Sequence, residues 1–179
     1  MGNRLSKIIT RTGDGGTTGL ATGDRIAKTS ARIDAIGNVD ELNCCLGLLL
    51  VLPLPEGVRA ALAPVQHELF NLGGELAMPP AEIVTEAHVL RLDQAAIDLN
   101  QLLPPLKEFI LPGGGEAASR AHLARAVARR AERALWTLNA AEPMNAHALR
   151  YTNRLSDLLF VCCRVLARAG DGEVTWVRC

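Results

Sequence analysis

In the run LARAVARRAERAL, four arginines (Arg125, Arg129, Arg130 and Arg133) fall within nine residues, separated only by small apolar residues and Glu132. A guanidinium keeps its charge at any physiological pH and presents its donors in a rigid fork, which suits it to phosphate oxygens. The cluster is therefore either a well-solvated outer face or a surface for a strongly anionic ligand. At about 100° per residue, Leu123, Val127, Ala131, Ala134 and Leu138 form one apolar stripe, and Arg125, Arg129, Glu132, Arg133 and Trp136 fall opposite it. Arg130 sits at the edge of the stripe, where a charge needs a carboxylate within reach. On a bare solvated face, Glu132 would pair within its own helix for only a few tenths of a kcal/mol.

Three further stretches carry polar groups of interest. TRTGDGGTTG, Thr10 to Gly19, holds four glycines, four threonines and Arg11, the composition of a backbone-amide cradle for phosphate. It is not a P-loop, since no Lys-Ser/Thr follows the glycines, and it does not fit the dinucleotide-binding fingerprint. In NVDELN, Asp40, Glu41 and Asn43 interrupt an apolar helix. Asp40 borders the packed face and wants a cation there, unless the group is a local surface patch. In TNRLSDLLF, Asn153, Arg154 and Asp157 accompany core positions Leu155, Leu158, Leu159 and Val161. Asn153 is equally an ordinary interhelical hydrogen-bonding residue.

Positioning these groups falls to helices. Hydrophobic residues make up 49% of the 179 and aromatics only 3%, so the core is expected from Leu, Ala, Val and Ile, which favours an all-α chain. A chain of this length forms one domain, here 1–179, and buries about 70% of its unfolded surface. After a Gly/Thr-rich loop over residues 1–28, preceded by a strand-like KIITR, helical periodicity begins at the N-cap Ser30 and continues to Pro53. Further helices are expected over 56–77, from Thr85 to Pro104, over 116–139 and over 144–169. Pro64 is an awkward residue in the second, and a short strand is expected at EVTWV. Together they make an up-and-down bundle of four or five helices over 30–169.

The formal net charge is zero and the pI about 6.9, so neither nucleic acid nor an anionic membrane is an expected partner. No stretch is long and apolar enough to span a bilayer, and the N-terminus lacks the apolar run of a signal peptide. MGNRLS fits a myristoylation outline, a short and weak pattern. Five cysteines, an odd number with two vicinal pairs and no CxxC, predict buried reduced thiols in a cytoplasmic protein. The four histidines show no metal-ligand spacing, and no resident metal is expected.

Five motifs in order, TRTGDGGTTGL, DAIGNVDELN, KEFILPGG, HLARAVARRAER and TNRLSDLLFV, closely resemble the PduO-type ATP:cob(I)alamin (corrinoid) adenosyltransferases over nearly the whole chain. The resemblance implies a ferritin-like, cobalamin adenosyltransferase-like helical bundle working as a homotrimer with active sites between subunits. It implies a transferase that moves the 5′-deoxyadenosyl group of ATP to the cobalt of cob(I)alamin, releasing triphosphate and requiring magnesium. By the same resemblance, a reductase supplies the reduced cobalamin and an adenosylcobalamin-dependent enzyme accepts the product. Position by position, the ATP loop corresponds to Thr10, Arg11, Thr12, Gly13, Thr18 and Gly19. Lys28 corresponds to a phosphate contact, and Arg129, Arg130, Ala131, Glu132, Arg133 and Asn153 to the nucleotide site. Arg125 corresponds to an arginine that pairs across the interface with the aspartate at Asp40. Phe109 corresponds to an aromatic residue that closes the lower axial face of the corrin.

Two departures stand out. Gly15 replaces a lysine frequent in the family, and the tail after Ala169 is short, which bears on any C-terminal share in the corrinoid site. A non-catalytic carrier or sensor of ATP or adenosylcobalamin is the competing reading. A plain ferritin-like bundle is a third, though the absence of Glu-x-x-His pairs disfavours its di-metal form.

Overall fold

The computed structural model describes residues 8–178. The MGNRLS outline, Lys7 of KIITR and the Cys179 thiol lie outside the described residues. Five helices dominate: α1 (Ala31–Leu50), α2 (Glu56–Ala77), α3 (Glu86–Asn100), α4 (Glu116–Ala141) and α5 (Ala146–Ala169). They pack as a ring in the order α1–α2–α3–α5–α4, closed by α4 against α1, around one core cluster. No helix among the described residues is long and apolar enough to cross a membrane.

Local chemistry explains the helix ends. The Ser30 hydroxyl accepts from the Ile33 amide and starts α1, and the Asn145 side chain accepts from the His147 amide and starts α5. At α3 the His88 imidazole accepts the Thr85 amide, closing the cap from the other side. Helices α1 and α3 stop short of Pro53 and Pro104, because the residue before a proline is pushed out of helical geometry. Pro64 lies inside α2 and does not split it.

The N-terminal region departs from the sequence expectation. Ile8 to Thr10 form no strand. Instead a two-stranded antiparallel hairpin, β1 (Thr17–Gly19) with β2 (Arg25–Ala27), follows the glycine-rich turn. Its connection bends at Gly23, whose φ of 97° suits glycine. At the other end, EVTWV contributes one antiparallel bridge, Thr175 to Ile110, rather than a full strand.

Leu, Ala and Val fill the interior, and among the described residues no isoleucine is fully buried. Ile33 and Ile36 are half-buried on α1, where they face clefts. The apolar stripe of α4 is offset from the expected one. Val127, Ala131, Ala134 and Leu138 are buried as expected, but so are Ala121, Ala124, Ala128 and Leu135, while Leu123 is 54% exposed. Alanines make up much of the face that meets the neighbouring helices, with Val127, Leu135 and Leu138 among them, and Leu123 lies off it. Cys45, Cys162 and Cys163 are buried, whereas Cys44 is exposed, and these four are free thiols. Burial pushes the Cys163 thiol up to about 12, so it stays protonated and inert.

Two buried carboxylates on α2 tie the ring together. Glu68 accepts from the Tyr151 hydroxyl on α5 at 2.7 Å and pairs with Arg91 on α3. Glu75 accepts from the Ile83 and Val84 amides at 2.7 and 2.8 Å and lies 3.3 Å from the Asn145 amide nitrogen. Tyr151→Phe removes a fully buried donor to an ionised carboxylate, and should cost about 1–3 kcal/mol, read as a lower urea midpoint at unchanged m-value. A midpoint equal to that of the parent chain would mean Arg91 satisfies Glu68 alone.

Candidate functional site

The arginines of α4 do not share one face. Arg130 and Arg133 lie on the flank toward α1 and line a cleft of about 790 Å³, with Lys28, Asp34, Asn38 and Glu41 on its other walls. Arg130 donates from Nε to the Asn38 side chain at 2.8 Å and pairs through Nη2 with Glu41. The carboxylate partner expected for Arg130 is thus Glu41, with Asn38 beside it. Both members of the pair are about half exposed, so it is worth up to about 1 kcal/mol and acts mainly to hold the guanidinium in place.

Lys28 brings the N-terminal loop to the same cleft. Its ammonium stands 3.1 Å from where a Cβ on Gly13 would sit, so only a residue without a side chain leaves that end undisturbed. The loop closes with Gly16 donating to the Gly13 carbonyl and Lys28 to the Gly16 carbonyl. The Thr10 and Thr12 hydroxyls lie 3.0 Å apart, and Arg11 takes a left-handed φ of 58°, uncommon for a residue with a Cβ. Thr18 and Gly19 belong to β1. Sequence reasoning missed Arg25, which clamps the loop from β2 by donating to the Thr12 carbonyl at 2.6 Å and the Thr17 hydroxyl at 2.8 Å. Nothing in the sequence marked it, because a three-residue strand leaves no period to read and Arg25 stands opposite Gly19 in the hairpin. A Cβ on Gly15 would meet nothing within 4 Å, so the departure at that residue leaves open space.

On the flank toward α5, Asn153 donates to Glu132 at 3.0 Å, joining two of the expected residues. Arg129 is exposed and lies outside the cleft of Arg130. Ala131 is fully buried in the core, so its side chain spaces the charged residues and offers nothing to a ligand. Asp40 and Arg125 lie apart within the chain. Asp40 borders an apolar groove between α1 and α2, beside the exposed Phe70. Arg125 is half-buried and lines a second cavity, of about 540 Å³, with Phe109, Phe160 and His122.

That second cavity is apolar apart from its polar wall. Phe109 is 80% exposed at its mouth. Among the described residues, His122, only 4% exposed, has no hydrogen-bond partner at either ring nitrogen, and neither has the Arg125 Nε. Burial lowers the His122 pKa below its ordinary 6.5, and the Arg125 charge lowers it further. The sequence assigns His122 no role, because one histidine on an arginine-rich helix has no distinguishing spacing.

The likeness to known proteins extends over nearly the whole chain. The cobalamin adenosyltransferase family model matches residues 8–166. A cobalamin adenosyltransferase of Cupriavidus metallidurans is 59% identical over 99% of this chain and 98% of its own length. A corrinoid adenosyltransferase of Bacillus subtilis is 42% identical over 96% of this chain and 93% of its own. Among solved structures, a phenylalanine-to-alanine variant of a PduO-type ATP:corrinoid adenosyltransferase from Lactobacillus reuteri, complexed with cobalamin and ATP, superposes with a TM-score of 0.87. It is 31% identical, over 96% of this chain and 100% of that one.

A pH test follows from His122. The unfolded chain takes up a proton near the ordinary value of 6.5, and the folded chain only at lower pH. Stability from this residue is therefore level above that value and falls as pH drops below it. The loss of Tm between about pH 7 and pH 5 should be smaller in His122→Leu than in the parent chain; equal slopes would show that the imidazole is protonated in place.

Proposed function

The chain belongs to the cobalamin adenosyltransferase family and is a corrinoid adenosyltransferase, and we propose that it holds the triphosphate of ATP in the α1–α4 cleft and the corrinoid in the cavity at Phe109. The reaction moves the 5′-deoxyadenosyl group of ATP to the cobalt of cob(I)alamin. The observation that carries the assignment of the cleft is the convergence of three cations from two distant stretches, Lys28 after the N-terminal hairpin and Arg130 and Arg133 on α4, beside a loop rich in backbone amides and hydroxyls.

In chemical terms, the cob(I) electron pair attacks C5′ of ATP, the Co–C bond forms, and the C5′–O bond breaks with its electron pair leaving on the triphosphate. Negative charge grows on that leaving group as the bond stretches. Cations fixed beforehand at the growing charge lower the barrier, rather than merely tightening the ground state. The Asn38 and Glu41 contacts serve this end, since they use the Nε and Nη2 of Arg130 and leave its Nη1 donors uncommitted to either. Magnesium enters in this reading as MgATP, with Asp34 and Glu41 the carboxylates on the cleft wall. Among the described residues, no three His, Cys, Asp or Glu side chains cluster to hold a metal ion of their own.

The apolar cavity suits the other substrate. Losing an axial donor makes cob(II)alamin easier to reduce, and Phe109 at the cavity mouth is an apolar group able to exclude that donor. The working unit in this reading is a homotrimer, with Arg125 of one subunit meeting Asp40 of the next. Its support is that Asp40 stands in an exposed apolar groove while the Arg125 Nε lacks an acceptor among the described residues. Four free thiols fit a cytoplasmic setting, where a reductase supplies the electron and an adenosylcobalamin-dependent enzyme takes the product.

Arg133→Ala should lower kcat by about 10²-fold while changing stability by less than about 0.5 kcal/mol. Triphosphate release and the absorbance change of Co–C bond formation, followed together, read the first quantity and urea denaturation the second. An unaltered kcat would take Arg133 out of the transition state. Asp40→Asn should weaken the trimer, seen as a lower sedimentation coefficient at dilution; unchanged sedimentation together with unchanged turnover would remove the Asp40–Arg125 pairing.

A further inference from the structure

Phe109 sits on the connection between α3 and α4, residues 101–115, and that connection has little core of its own. Leu102, Leu106, Phe109 and Leu111 are all exposed, so apolar burial does not set where the segment lies. Polar ties set it instead, and they converge on one arginine of α5. Arg164, whose side chain is 5% exposed, donates through Nη2 to the Pro104 carbonyl at 2.8 Å, at the start of the segment. Through Nε it donates to Glu173 at 2.7 Å, and Glu173, itself 13% exposed, also accepts from Arg168 at 3.2 Å.

Glu173 opens the C-terminal tail, which pairs directly with the backbone around Phe109. Leu111 donates to the Val174 carbonyl at 2.7 Å, and Trp176 donates to the carbonyl of Phe109 itself at 2.8 Å. The far end of the segment is gripped as well. A Cβ on Gly114 would lie 2.5 Å from the Ala167 Cβ and 2.7 Å from the Gly172 carbonyl oxygen, so that glycine lets the connection close onto α5 and the tail. Burial by itself would raise the Glu173 pKa, but the hydrogen bonds from Arg164 and Arg168 outweigh it and hold the carboxyl below its usual range.

We propose that Arg164 and Glu173 form a buried clasp that positions Phe109 over the cavity, Arg164 fixing the start of its connection and Glu173 anchoring the tail strand that sets the backbone at Phe109. Both are positioning residues, since neither lines the cavity. The short tail is then a working part of the corrinoid site, acting through backbone pairing. The proposal rests on the reading that Phe109 acts on the corrin. It separates the two substrates: loosening the clasp should disturb the corrinoid and leave the nucleotide cleft alone, because none of the clasp residues lies on that cleft.

The test uses the full-length protein with three variants, Glu173→Gln, Arg164→Met and Phe109→Ala. Each is measured for MgATP affinity by calorimetry, for KM and kcat with chemically reduced cob(I)alamin, and for four-coordinate cob(II)alamin by electron paramagnetic resonance with MgATP saturating. A displaced Phe109 no longer excludes the axial donor or packs on the corrin, so the clasp variants should lose most of the four-coordinate signal and show a KM for corrinoid raised at least about tenfold. Their kcat should fall less than about threefold, with MgATP affinity unmoved. Glu173→Gln keeps the shape of the tail and removes only the charge, so it carries the test even if Arg164→Met fails to fold. A normal signal and KM in Glu173→Gln, with the signal lost in Phe109→Ala, would overturn the clasp while sparing the role of Phe109. A normal signal in Phe109→Ala would overturn the reading on which the clasp rests.

Discussion

The site depends on how closely α4 can approach its two neighbours. Ala121, Ala124, Ala128 and Ala131 present almost no side-chain bulk to α1 and α5, so the helix is wedged between them. Long side chains on its flanks then reach across to the next helix. Arg130 arrives at Asn38 and Glu41 on α1, and Glu132 arrives at Asn153 on α5. A leucine-lined α4 would push the helices apart and strand these groups over open solvent. Packing at close range is what turns a cluster of like charges into two separate walls, one for a cleft and one for a helix junction.

The same logic governs charges inside the ring. A buried carboxylate is tolerable only when its lone pairs are taken. Glu68 is met by Tyr151 and Arg91, and Glu75 by two backbone amides. Arg32 donates to the Leu76 carbonyl and pairs with Glu142, and Arg164 serves the Pro104 carbonyl and Glu173. Most of these join elements distant in the sequence, so they fix how the helices and connections sit against one another. Hydrophobic burial assembles the ring, and the paired ions select one arrangement of it.

Helix existence and extent were legible because periodicity, caps and prolines are local signals. Ser30 at α1, Glu56 to Ala77 for α2 and the start of α4 at Glu116 all stand where the pattern put them. The hairpin Thr17–Gly19 with Arg25–Ala27 was not legible, since two three-residue strands in a glycine-rich stretch leave no period to read. Leu123 misled for a related reason: hydrophobicity was used to find the inner face of α4, and steric smallness decided it. Of the site, the arginines and the loop could be named from composition and Lys28 from the family resemblance, while Arg25, His122 and Arg164 could not. An isolated arginine or histidine looks alike in a sequence whether it is solvated, clamped or buried.

By itself, then, the sequence determined an all-α chain, the run of its helices, its family, and which stretches hold the arginines and the glycine-rich loop proposed to meet phosphate. Tertiary structure alone decided how those residues are divided. Arg130 and Arg133 go with Lys28 to one cleft, Arg125 goes with Phe109 and His122 to another cavity, and Asp40 goes to a separate groove. The physical reason is that angle around a helix is set locally, but which neighbour meets that angle is set by packing between segments far apart in the chain. Arg130 and Glu41 are separated by 89 residues and share an ion pair only because α4 lies on α1.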